Sequence, residues 1–254
     1  TGFDSPLLGY IKYAYFQVKP MDTLKIRFGQ QATPWIGTMD KVMGYRYVYK
    51  TGLDYYKWDS SADTGLSVLG KAADGMFKYH VGVFNGVGYK NTAEGESPQN
   101  LMVAARASVY PFKSMKESPL AKLGAHLYFK TDAEGEGDDY GREMMYGGAL
   151  SFNHKYVDVL FEVMLRSSDD DADKGGLLLA PYFKFKYQKY SLFVTYSMFD
   201  DKNTDESWNR LLAGATWDYS KKFAISLNYQ SVTAKGNVKD KDSQGIFINT
   251  LFKF

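Results

Sequence analysis

The chain has 254 residues, a net charge of +2, no cysteine, and 21 Tyr and 17 Phe. Its mean hydropathy is −0.38, and no apolar run approaches the roughly 18–20 residues that a membrane helix needs, which excludes a helical membrane protein. A disulfide framework is excluded as well, while so much tyrosine suits an interface between an apolar and an aqueous phase.

Taken in order, the segments 8–19, 23–31, 65–71, 76–84, 100–111, 121–131, 143–153, 157–166, 177–188, 190–198, 209–219, 223–230 and 245–254 alternate with period two. In 223–230, Phe223, Ile225, Leu227 and Tyr229 point one way and Ala224, Ser226, Asn228 and Gln230 the other. Nearly every segment has one apolar and one polar face, the lipid-out, water-in pattern of a membrane barrel. The connections alternate too. Lys19–Asp22, Ala72–Gly75, Asn153–Lys155, Gln188–Lys189 and Tyr219–Lys222 are short, whereas 131–142, 167–174, 200–207 and 233–243 are longer and polar. Short periplasmic turns and long external loops follow this rule. The acidic stretches 134–139 and 169–173 read as solvated loop tips, with divalent-cation bridging to lipopolysaccharide phosphates as the alternative. The chain closes on Phe252, Lys253 and Phe254, like the terminal strand of outer-membrane barrels.

The expected fold is therefore all-β: an antiparallel transmembrane β-barrel, a single domain over 1–254, with about 13 strands in this chain. Even strand numbers are the rule in single-chain bacterial barrels. The odd count, and a first strand that starts on the outer side, predict 16 strands in the complete protein, with N-terminal strands missing here. No leader is visible at Thr1-Gly2-Phe3-Asp4.

The stretch 33–63 is too long for an ordinary connection and too aromatic for disorder. We expect a loop folded into the lumen as a constriction, with Trp35, Arg46, Tyr49, Lys50 and Lys57 as its candidate residues; an external loop packed on a neighbouring subunit is the competing reading. On the wall, alternation turns Lys25, Arg27, Lys78, Arg106, Lys122, Lys130, Lys184, Lys186 and Arg210 inward as candidate pore-lining residues. Charges facing lipid near the midplane would cost about 2–4 kcal/mol each. Fewer carboxylates share that face, among them Asp158 and Glu162, the latter expected to pair with Arg166 along its own strand. A basic wall favours anions, against a balanced, merely hydrated wall. Tyr110, Tyr128 and Tyr182 also face inward, as space-fillers or as a sugar-stacking track. The face of 8–19 stays open, since Lys12 falls in one alternating set and Tyr13, Tyr15 and Gln17 in the other.

Ile11-Lys12-Tyr13-Ala14-Tyr15-Phe16, the run from Leu24 to Trp35, Asp63-Thr64-Gly65-Leu66 and Tyr79 to Gly86 together resemble the phosphate-selective porin O and P family, in order and spacing across about 8–90. The resemblance implies a sixteen-stranded trimeric porin with a lumen-folded loop, the first matched strand being about the fourth. Phosphate-specific members carry an arginine ladder and a lysine cluster; Arg27, Arg46, Arg106, Arg142, Arg166 and Arg210 do not map onto a full ladder.

His80, His126 and His154 have no ligand-like spacing, so no metal or other cofactor is expected. Ser108 and His126 are the one serine–histidine pair that neighbouring strands bring together, and with no third member the chain is read as not an enzyme. Dispersed basic residues argue against nucleic acid. The expected function is passive diffusion of small hydrophilic solutes across a bacterial outer membrane, with a preference for anions. Expected partners are outer-membrane lipid, lipopolysaccharide, small anionic or neutral solutes and two further copies in a homotrimer. A structural barrel that houses a periplasmic partner protein is the alternative.

Overall fold

The computed structural model describes residues 11–93, 101–134, 141–168, 175–202, 204–220, 222–236 and 242–253. The acidic stretches 135–139 and 169–173, residues 237–241, the start of the first predicted strand and Phe254 lie outside them.

Thirteen antiparallel strands form one sheet in sequence order. They are β1 (Ala14–Met21), β2 (Leu24–Ala32), β3 (Ala62–Ala72), β4 (Phe77–Phe84), β5 (Met102–Val109), β6 (Leu123–Glu134), β7 (Gly141–Asn153), β8 (Val157–Ser168), β9 (Gly175–Tyr187), β10 (Tyr190–Asp201), β11 (Glu206–Ser220), β12 (Phe223–Gly236) and β13 (Ser243–Phe252). Every strand pairs with its sequence neighbour, as a meander requires. Among the described residues β1 and β13 pair on one side only, so they form the edges of the sheet.

The burial pattern is inside out. Phe28, Leu66, Val81, Leu127, Phe161, Leu192, Leu227 and Ile248 are exposed on the outward wall, while Ser108, His126, Glu162, Thr195, Ser197 and Ser226 are buried on the inward face. Period-two alternation produces both sets at once. Turns at one end are tight: Gln188 adopts φ 54° between β9 and β10, the left-handed backbone that two-residue hairpins favour. The connection 110–122 departs from that economy. It ends in a single 3₁₀ turn, Pro119–Lys122, whose Ser118 Oγ accepts from the Leu120 N–H.

The segment between β2 and β3 contains two helices, α1 (Ile36–Met43) and α2 (Gly52–Tyr55); a third, α3 (Gly88–Ala93), follows β4. Sequence periodicity suggests only an irregular loop there. Ile36, Met39 and Met43 nevertheless fall on one face of α1 and are buried, at a helical spacing. Gly44 ends α1 at φ 74°, its N–H bonded to the Asp40 carbonyl at 2.8 Å, a left-handed cap that suits glycine. At Gly52 a Cβ would lie 2.6 Å from Leu178 Cδ2, so α2 sits nearly against β9.

The lumen face is not uniformly polar, as alternation alone implies. Leu160, Met164, Leu178, Phe193, Phe199 and Leu212 point inward and join Trp35, Tyr45, Tyr49, Leu53 and Trp58 in one buried cluster. They form an apolar seat for the loop. Burial of loop aromatics there compensates the cost of ordering some thirty residues.

Candidate functional site: the loop and the lumen wall

Polar contacts tie the 33–61 segment to successive strands around the lumen. The Trp35 indole donates to Glu162 on β8, and Trp35 stacks on Tyr128 of β6 with centroids 5.2 Å apart. Arg106 of β5 donates to the Pro34 carbonyl at 2.9 Å, and Lys130 of β6 to the Trp58 carbonyl at 3.1 Å. Tyr182 and Lys184 of β9 both donate to the Met43 carbonyl, at 3.2 and 3.3 Å. Tyr56 shares a hydrogen bond with Ser197 at 2.8 Å, and Trp58 donates to Asp201 at 3.0 Å, both on β10. A segment in contact with β5, β6, β8, β9 and β10 at once lies inside the curl of the sheet.

The candidate wall residues divide into three groups. Lys184 and Lys186 point inward but share Asp158, at 2.9 and 2.7 Å, and Lys184 is capped by the Tyr45 ring at 3.9 Å. Arg210 lies beneath Tyr49 and Tyr55, 4.7 and 3.8 Å from their centroids. Lys184 and Arg210 serve as anchors for the loop, and Lys186 shares the Asp158 carboxylate beside them. Arg27, Arg106 and Lys130 border open space inside the sheet, but Arg106 and Lys130 are themselves buried, and Lys130 pairs with Asp132 at 2.6 Å. Lys25 and Lys78 share the inward face nearer the short turns, Lys78 over the Tyr110 ring at 4.6 Å. Lys122 is corrected: it is exposed at the end of the 3₁₀ turn and not on a strand, because β6 starts one residue later, at Leu123. The pairing of Arg166 with Glu162 is corrected too. Arg166 bridges Glu143 on β7 and Asp201 on β10, the latter at 3.1 Å, while Glu162 is taken by Trp35. Charge complementarity across strands prevailed over proximity along one strand.

The loop residues have distinct surroundings. Trp35 and Tyr49 are buried, Lys50 and Lys57 are exposed, and Arg46 is half-buried between Asp40 and Asp54, the latter at 2.6 Å. Burial disfavours the Arg46 charge, but the two carboxylates outweigh it and hold its pKa above the ordinary value. Asp40 is shifted up by burial despite Arg46. Asp59 is buried, accepts from Tyr128 Oη at 2.9 Å and from the Ser60 N–H at 2.8 Å, and is raised to about 6 by burial, with Lys130 opposing.

Two cavities flank this loop. One, of about 500 Å³, is bounded among the described residues by Lys12, Arg27, Lys41, Arg46 and Arg106 with Asp40; Tyr13 and Tyr15 complete the side at the start of β1. The other, of about 530 Å³, is bounded by Arg46, Lys50, Lys57, Lys90 and Lys130 with Asp54 and Asp59. Arg46 borders both. The open question over the first strand is answered: Arg27 donates to Gln17 at 2.9 Å and lies 4.8 Å from the Tyr15 centroid, so Tyr13, Tyr15 and Gln17 face inward. Lys12 reaches the same space because it precedes the regular strand. Sequence reasoning missed Lys12, Lys41 and Lys90, which lie outside the alternating segments or at their frayed ends.

Ser108, His126 and Ser151 form a chain across β5, β6 and β7. His126 Nδ1 is 2.8 Å from Ser108 Oγ and Nε2 is 2.9 Å from Ser151 Oγ, with Arg106 donating to Ser108. Trp35 and Tyr110 pack edge-on against the imidazole. Both ring nitrogens are thus engaged by hydroxyls. Among the described residues there is no group of three potential metal ligands.

No family model matches the chain, and no curated protein matches it. Solved structures do. The chain is similar to a loop L8 deletion mutant of OmpT, an outer membrane protein of Vibrio cholerae, with TM-score 0.64 and 15% identity over 96% of this chain and 80% of that one. It is similar to an anion-selective porin from Comamonas acidovorans, with TM-score 0.61 and 13% identity over 90% and 69%. The trimer form of in-vitro folded OmpT matches with TM-score 0.60 and 14% identity over 95% and 78%. The shared fold and the apolar outward wall make the chain an outer-membrane β-barrel. The expectation that it is not an enzyme is corrected. The matches headed by OmpT place the chain on a barrel fold, and one fold hosts catalytic and transport proteins alike, so the barrel does not exclude catalysis. The Ser108–His126 hydrogen bond is formed as well.

Proposed function

We propose that the barrel is a porin, a passive pore for small hydrophilic solutes that favours anions. The observation that carries this reading is Arg46 at the junction of the two cavities, each bordered among the described residues by five cationic side chains against one or two carboxylates. A solute that passes between them meets Arg46 on the face of the loop itself. Rings of Lys and Arg favour anions by raising their local concentration. The loop is then the constriction, and its apolar seat fixes the pore's width.

The resemblance to the phosphate-selective porin O and P family belongs to the same proposal, as does a homotrimer; the residues quoted for the family and the trimer form of OmpT support them. Phosphate as the solute has less support than anion preference, since Arg106 and Arg210 are engaged by the loop. The alternative of a barrel filled by a partner protein is not favoured by any contact, because the loop already occupies the space such a guest would need. The test is a planar-bilayer recording across a KCl gradient. A steady open channel whose reversal potential has the sign of chloride permeation supports the reading; cation selectivity, or a barrel that never conducts, overturns it.

A further inference from the structure

We propose that the short-turn rim of β7 to β13 is a binding surface for anionic phospholipid headgroups. Four lysines mark it, one at each successive turn or strand end: Lys155, Lys189, Lys222 and Lys253, all exposed. Backbone hydrogen bonds tie these turns into a continuous edge: Lys186 N to the Tyr156 carbonyl and Asp218 N to the Lys189 carbonyl, both at 2.7 Å, and Lys253 N to the Lys222 carbonyl at 2.8 Å.

Three observations select this ligand. First, the lysines sit beside outward-facing aromatics. Lys155 Nζ is 4.6 Å from the Tyr156 centroid and Lys189 Nζ is 5.1 Å from that of Tyr219, and the Phe223 and Phe252 rings lie 4.9 Å apart. Such rings occupy headgroup level in membrane proteins. Second, the wall continues from the rim as an exposed apolar surface through Phe185, Leu192 and Leu227. A cation, an aromatic ring and an apolar wall in that order match a headgroup, its glycerol level and its acyl chains. Third, the rim's described carboxylates are engaged on the lumen side, Asp218 by Ser191 and Lys184. Among the described residues none of the four lysines pairs with a carboxylate. The nearby Asp158 is turned into the lumen, where Lys184 and Lys186 take it. Unneutralised lysines at a membrane surface attract anionic lipid by about fivefold each. On a barrel with short periplasmic turns, the lipid is that of the inner leaflet.

Trp217 gives the readout, being the outward-facing tryptophan on this rim, whereas Trp35 and Trp58 are buried in the lumen. The protein is reconstituted in phosphatidylcholine vesicles doped with brominated phosphatidylglycerol or, separately, brominated phosphatidylcholine, and quenching is compared. Brominated phosphatidylglycerol is expected to quench about fivefold more effectively at equal mole fraction, and the difference should vanish in Trp217→Phe. In the combined variant Lys155→Gln, Lys189→Gln, Lys222→Gln and Lys253→Gln the preference should fall to unity, while the matching four-fold Lys→Arg variant keeps it. Equal quenching of the natural protein by the two lipids, retained preference in the Gln variant, or loss of preference in the Arg variant would each overturn the proposal.

Discussion

Arg46 concentrates the electrostatics of the lumen in one side chain. It is fixed by Asp40 and Asp54 on its own segment, so it presents charge without the entropy loss of a free arginine. A unit charge a few ångströms from a passing ion is worth about 1 kcal/mol in water, or about fivefold in local concentration. Arg46→Gln is expected to lower the chloride-to-potassium permeability ratio by about fivefold, because Asp40 and Asp54 then face the solute unopposed; reversal potentials measure this. An unchanged ratio would remove Arg46 from the selectivity of the pore. Trp35 carries the corresponding role in stability. Its indole satisfies Glu162, which is buried. Trp35→Phe retains the stack on Tyr128 but removes one donor from a buried carboxylate that keeps the Gly52 N–H, at a cost of about 1 kcal/mol. Urea unfolding from lipid vesicles should show the loss, and Trp35→Phe with Glu162→Leu should recover part of it.

At the level of elements, the strands were legible in the sequence because period two is a local signal: β8, β10 and β12 lie where the alternation of 157–166, 190–198 and 223–230 places them. The loop's helices were not, because α1 and α2 are stabilised by inward residues far along the chain, such as Leu160 and Leu178. The clue lay in plain view, in apolar residues such as Phe193 and Phe199 that interrupt an otherwise polar face. Likewise the sequence assigned Lys184 and Arg210 to the correct face, but what sits over them is a tertiary fact. Asp59 gives this element a pH dependence. Its carboxyl is raised to about 6 when the loop is seated, above the ordinary 3.8, so protonation favours the seated state. The stabilisation is fully present below about pH 4 and is lost as pH rises through about 6. A rise of that size corresponds to at most about 160-fold in the seating equilibrium. Hydrogen exchange of the 33–61 backbone, corrected for intrinsic rates, should therefore be slower at pH 5 than at pH 7.5. Asp59→Asn should abolish the difference; a pH effect that persists in that variant would assign it to another group.

For the whole molecule the governing fact is the inversion of inside and outside. In a water-soluble protein the exposed leucines and phenylalanines of the outer wall would be an aggregation liability; here they are the surface that the bilayer solvates. The difference is measurable at adjacent positions of β10. Val194 is 42% exposed and outward, whereas Phe193 is 4% exposed and seats the loop. An exposed valine on a soluble protein tolerates arginine within about 0.5 kcal/mol. On a lipid-facing wall near the midplane the same change costs about 2–4 kcal/mol. Val194→Arg is thus expected to destabilise the barrel by that amount in phospholipid vesicles, read from urea unfolding. Phe193→Ala should cost a comparable amount for the opposite reason, since it opens a cavity under Tyr45, whose ring packs edge-on against Phe193 at 5.5 Å. The two variants separate in the lumen: Val194→Arg leaves the conductance of folded channels unchanged, whereas Phe193→Ala loosens the loop and adds current noise. If Val194→Arg proved neutral in vesicles, the outward wall would not be the lipid-facing one, and the membrane reading of the fold would have to be reversed.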